Sequence, residues 1–152
     1  MQLIRLEEDS RLNVPEIDSQ HETLIGLINQ LHTAMLREAD KASLDDLLSQ
    51  LLDHTRSHCS YEEELMSRYG YPEYASHRSE HQRLIEHLEN LIGRYRQGDV
   101  LLSFAVMLEL KGWATIHIEK SDKLLGIFLN DRAGIDFNHH AVSYTHLRAH
   151  ET

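Results

Sequence analysis

Cysteine is nearly absent. Cys59 stands alone in 152 residues, so no disulfide can close within the chain, and a reducing compartment is expected. A basic excess is missing too. The formal net charge is -10, with no cluster of Lys and Arg, which makes nucleic acid and anionic membranes poor partners. The apolar runs fall far short of the ~20 residues that a membrane-spanning helix needs. The opening MQLIRLEEDS lacks the basic and apolar stretches of a secretory signal. A cytoplasmic location is therefore expected. Strand-like alternation, hairpin turn signals and internal repeats are also lacking.

Helical periodicity and histidine are abundant. At 152 residues with 41% hydrophobic side chains, the chain is long enough for one domain around one core. Four stretches repeat apolar residues at helical spacing. The first runs from about Ile17 to Arg37, with Ile17, Leu24, Ile25, Ile28, Leu31 and Met35 on its stripe. Pro15 disfavours helix at Val14, so the start is expected between Asn13 and Asp18. The second runs from about Leu44 to Tyr69, with Ser43 and Asp46 resembling a capping box and Gly70 as its stop. The third covers about Glu73 to Arg96 and breaks at Gly98-Asp99, which is expected to cap the fourth, from about Val100 to Leu129. Short turns between four amphipathic helices predict an all-α, antiparallel up-down-up-down bundle over residues 1–130, with an extended N-terminal arm. Residues 131–152 lose the period. Their end, VSYTHLRAHET, looks like a translated adapter, so a disordered or artefactual tail is expected and a metal-binding role for His139, His140, His146 and His150 is not.

Twelve histidines are many for this length, and their spacing carries the argument. His21 lies on the first stripe, His58 and Glu62 on the second helix, His77 and His81 on the third, and His117 and Asp122 on the fourth. Residues four apart share a helix face, so His58 with Glu62, and His77 with His81, each reach one region. His117 and Asp122 are five apart, which in an α-helix turns Asp122 away from His117 and suits a carboxylate bridging two metals. A lone histidine on an apolar face is usually a hydrogen-bonded core residue. Here four segments each bring ligand types to the inner face, where unpaired polar groups would together cost about several kcal/mol. Five imidazoles and two carboxylates exceed what one metal with an open position takes, so two metals are expected.

The segments IDSQH, HCSYEEE, HRSEH and HIEKSD, in this order, resemble the bacterial hemerythrins over about Leu6 to Phe128. The resemblance implies a four-helix bundle with a non-haem di-iron centre that binds dioxygen reversibly. It further implies that His77, His81 and His117 hold one iron. His21 and His58 would hold the other, which keeps an open position. Glu62 and Asp122 would bridge the two irons, together with an oxo or hydroxo group. Leu24, Cys59, Trp113, Ala114 and Ile118 are expected around the oxygen pocket. Four positions depart from the family pattern: Leu6 replaces a tryptophan, Asn13 a glycine, Cys59 a phenylalanine and Ala114 a larger residue. His54 is expected to be structural, His32 to lie too far away to ligate, His87 to face solvent, and Glu63 and Glu64 to form a solvated face.

The resulting expectation is an oxygen-binding protein for storage, delivery or sensing rather than an enzyme, with dioxygen as its partner. A redox or oxygen-signalling module is the first alternative; no output region adjoins the bundle in these 152 residues. A di-iron enzyme consuming peroxide or nitric oxide is the second.

Overall fold

The computed structural model describes residues 3–4 and 11–132. Leu6 and residues 133–152, with their four histidines, lie outside the described residues. Helix α1 spans Pro15–Leu36, α2 Lys41–Tyr69, α3 Tyr74–Arg96 and α4 Phe104–Ile116. The last helix continues without a break through a π-helical turn, His117–Asp122, into α5, Lys123–Arg132. It therefore runs three residues past the expected end at about Leu129. No strand occurs among the described residues, and the result is the four-helix bundle that the periodicity predicts. Helix α1 packs against α2 and α4, and α2 against α3.

The helix boundaries follow local chemistry, and two of them correct the sequence reading. Helix α2 is capped by Asp40, whose carboxylate accepts from the Ser43 amide at 2.8 Å, not by Ser43 with Asp46. Asp40 and Ser43 are both cap types, and Lys41 and Ala42 are good helix formers that let the earlier residue win. Helix α4 is capped by Ser103, whose hydroxyl accepts from the Val106 amide at 3.3 Å, not by Gly98-Asp99. Gly98 has φ +82° and donates to Tyr95, while Asp99 donates to Arg94, so this pair ends α3 instead. Val100 and Leu102 pack on the core from a non-helical connection. Gly70, at φ +67°, stops α2 as expected.

The described arm is tied down at both of its segments. The Asn29 side chain accepts from the Ile4 amide at 2.8 Å and donates to the Ile4 carbonyl at 2.9 Å. Asp18 reaches back to accept from the amides of Leu12 and Asn13. Asn13 has φ +61°, a left-handed conformation that glycine adopts freely and asparagine tolerates better than most residues. That geometry accounts for asparagine at this position. Leu12 lies directly on Gly126, where an added Cβ would sit 2.7 Å from the Leu12 side chain.

Two apolar cores form at different levels of the bundle. One gathers Ile25, Ile28, Leu48, Leu51, Leu88 and Leu110 among others. The other gathers Leu12, Val14, Ile17, Leu65, Met66 and Leu125. Along each helix the histidines and acids fall between residues of these two cores, as His21 does between Ile17 and Ile25.

Candidate metal centre

Seven polar side chains are buried between the two cores. Glu62, Asp122 and His81 are 0% exposed, His21 1%, His58 and His77 3%, and His117 7%. Such burial is costly for carboxylates unless cations face them. Five imidazole rings do so here.

The two carboxylates divide their oxygens. Glu62 Oε1 lies 3.0 Å from His81 Nε2 and 3.2 Å from His77 Nε2, while its Oε2 lies 3.1 Å from His58 Nε2. Asp122 Oδ1 lies 2.8 Å from His117 Nε2 and 3.0 Å from His77 Nε2. Its Oδ2 lies 2.7 Å from His21 Nε2 and 3.4 Å from His58 Nε2. Two groups of donor atoms result, each compact enough to surround one ion: Glu62, His77, His81, His117 and Asp122, and His21, His58, Glu62 and Asp122. Glu62 and Asp122 belong to both.

The π-helical turn corrects one step of the sequence reasoning. In an α-helix a five-residue separation would rotate Asp122 away from His117. The π turn closes i to i+5, so Asp122 comes back over His117 on the same face, at 2.8 Å.

Electrostatics match this arrangement. Burial works against charge on His58, but Glu62 and Asp122 outweigh it and raise its pKa to about 10. Burial likewise opposes charge on His77, and hydrogen bonds to Asp122 and Glu62 raise it to about 9. His117 is held well above its ordinary value by Asp122 despite burial. Glu62 and Asp122 are held well below the carboxylate range because the surrounding imidazoles outweigh burial. Protons on the histidines thus take the place of cations. They do so imperfectly, since Glu62 Oε2 and His117 Nε2 are buried without a hydrogen bond of proper geometry among the described residues. Two metal cations would engage both atoms, and neutral imidazole with carboxylate is a donor set for iron, zinc or copper.

A second layer of contacts was not legible as such in the sequence. The His58 Nδ1–H donates to Gln20 Oε1 at 2.7 Å and the His81 Nδ1–H to Glu63 Oε2 at 2.9 Å. The His117 Nδ1–H donates to Glu80, whose other oxygen accepts from Ser121 Oγ at 2.9 Å. Donation through Nδ1 leaves the Nε2 lone pair pointing inward. His117 and Ser121 hold the Glu80 carboxyl down, at about 2. Glu63 therefore does not belong to a solvated face; only Glu64 does, paired with Arg68. The available signal is adjacency: Gln20, Glu63, Glu80 and Ser121 each flank an inner residue, and neighbours on a helix point about 100° apart.

A cavity of about 70 Å³ adjoins His21, His58, His117 and Asp122. Leu24, Cys59, Trp113, Ala114 and Ile118 all line it, along with Leu51, Leu84 and Leu110. Burial, with help from Glu62 and Asp122, pushes the Cys59 thiol far up, so it stays protonated. Trp113 also packs against the exposed ring of His87, with ring centroids 4.8 Å apart and planes tilted by 46°. His54 is exposed. His32 is buried near Phe104, away from the site.

Comparison with known proteins agrees with this geometry. The Hemerythrin HHE cation binding domain matches residues 12–127. A bacteriohemerythrin of Stenotrophomonas maltophilia is 30% identical over 123 residues, covering 81% of this chain and 79% of the relative. One from Methylococcus capsulatus is 29% identical, covering 75% and 86%. A solved wild-type hemerythrin superposes with a TM-score of 0.77 at 27% identity, covering 82% of this chain and 96% of its own. A solved hemerythrin mutant gives 0.78 at 28% identity, covering 84% and 97%. The bundle, the buried ligand-type cluster and these similarities agree: the chain belongs to the hemerythrin family.

Proposed function

We propose that the chain binds dioxygen reversibly at a di-iron centre, for oxygen storage, delivery or sensing. His77, His81 and His117 would hold one iron and His21 and His58 the other, with Glu62 and Asp122, which belong to both donor groups, shared between them. The observation that carries this reading is the division of oxygens, with each carboxylate presenting one oxygen to each histidine group. The numerical asymmetry, three histidines against two, would leave the second metal short of a protein ligand, and His21 and His58 border the cavity. Two irons would supply the two electrons that dioxygen takes up and returns.

The chain's own residues set the conditions for reversibility. The cavity, about 70 Å³, is several times the roughly 10–15 Å³ that one water molecule needs. Its lining of Leu24, Trp113, Ile118 and neighbouring leucines disfavours water and anions. The protonated Cys59 thiol offers only a weak donor. Anaerobic reconstitution with ferrous iron, followed by oxygen titration under visible spectroscopy, tests the proposal. A stable oxygenated spectrum that reverses on deoxygenation supports it. Rapid irreversible oxidation with peroxide turnover would replace it with an enzymatic reading.

A further inference from the structure

The outer contacts of the histidines follow a direction around the bundle. Gln20 flanks His21 on α1 and serves His58 on α2. Glu63 flanks Glu62 on α2 and serves His81 on α3. Glu80 flanks His81 on α3 and serves His117 on the last helix. The series stops there, because His21 Nδ1 is buried without a hydrogen-bond partner among the described residues.

Its chemistry also changes along the way. Two of the three histidines in the three-histidine group lean on carboxylates. In the two-histidine group, His58 leans on a neutral amide and His21 on no partner among the described residues. The amide orientation is fixed, since Gln20 Nε2 donates to Glu16 at 3.1 Å, which turns Oε1 toward His58. Glu80 is held on both oxygens, by His117 and Ser121. Glu63 is drawn partly toward Arg78, whose Nε lies 3.7 Å away, so Glu80 is the stronger support. Any acceptor behind an imidazole fixes its ring and raises its basicity, and a charged carboxylate does so more than a neutral amide.

We infer that Glu80, Glu63 and Gln20 are positioning residues that make the two metal positions unequal, so that the three-histidine position fills first. This rests on the di-iron reading above. Glu80 and Glu63 strengthen His117 and His81 as donors, and the extra histidine adds to their effect. Gln20 keeps His58 in place without adding charge, leaving the second position weaker and exchangeable.

Calorimetric titration of the metal-free full chain with ferrous iron, without oxygen, tests this. The parent should take up two ions in two resolved steps. Glu80→Gln should weaken the first step about 10–100-fold and leave the second within a few-fold, and Glu80→Asp should restore part of the loss. Gln20→Glu should tighten the second step and narrow the gap. Cobalt(II) gives an independent readout: the visible spectrum of the first equivalent should change in Glu80→Gln and not in Gln20→Glu. Uptake of fewer than two ions by the parent would overturn the di-iron reading itself. Two ions bound in equal steps, or equal weakening of both steps by Glu80→Gln with the melting temperature unchanged, would overturn only the inequality.

Discussion

His117 and Asp122 stand five residues apart and still meet, with Nε2 2.8 Å from Oδ1, because the helix between them is π-wound. The wider turn supplies a histidine and a shared carboxylate from one helix face. Glu62, on α2, is the other acid that reaches both histidine groups, and among the described residues no third acid does so.

Loss of Glu62 should therefore be more severe than loss of any nearby non-ligand. Glu62→Ala is expected to abolish stable retention of both ions. His54→Ala, at an exposed position one turn before His58, is expected to retain iron as the parent does. Iron per chain after desalting is the measurement, and equal retention in the two variants would contradict the bridging role.

Metal-free protein should be most stable between about pH 4.5 and 6.5. His58 and His77 have folded pKa values of about 10 and about 9, above the unfolded value near 6.5. Their contribution is complete below that value and is lost as pH rises through 9 to 10. Glu62 and Asp122 are lowered on folding, so their contribution is present above about pH 4.5 and is lost as pH falls. Iron needs neutral imidazoles, so the loaded protein should hold its melting temperature to higher pH. Thermal melts of both forms from pH 5 to 9.5 measure this. A metal-free curve that rises over the alkaline half would contradict it.

Gly126→Ala should destabilise the bundle by about 1–3 kcal/mol through overpacking. The new methyl would fall within 2.8 Å of Leu12 Cβ and Cγ, atoms too near the backbone to swing aside. The shift would also strain the Asn130 bond to the Leu12 carbonyl. Chemical denaturation compares the variants; Gly112→Ala, where nothing lies within 4 Å of the added carbon, is the control.

Cys59→Phe should slow autoxidation of the oxygenated form. Cys59 and Ala114 both border the cavity, and a larger ring at 59 would displace space open to water or small anions. The decay of the oxygenated spectrum in air is the readout. Decay as fast as in the parent, at equal iron content, would show that cavity volume at this position does not control it.

Much of the fold was legible in the sequence because each helix carries its own period and stops, as Gly70 shows. The seven inner residues were legible because helical spacing places them on inner faces without any knowledge of tertiary structure. The caps of α2 and α4 were not, because several cap-type residues compete within a few positions, and Gly98 could be assigned to either neighbour. The π turn was hidden because five-residue spacing reads as divergence under α-helical geometry. Glu63 and Glu80 were hidden for a further reason. Acids on a helix flank read as solvated, and only the approach of the next helix turns them inward.

The adjacency of outer partners to inner residues has a consequence for assembly. Gln20 with His21, Glu62 with Glu63, and Glu80 with His81 occupy consecutive positions, and each helix advances about 1.5 Å per residue. A helix displaced by one residue would put the wrong member of each pair inward and break two supports at once. The cluster therefore acts as a gauge of register. Apolar side chains of similar size tolerate sliding past one another, but only one alignment of the helices completes both layers, and bound metal would select that alignment from its slipped competitors.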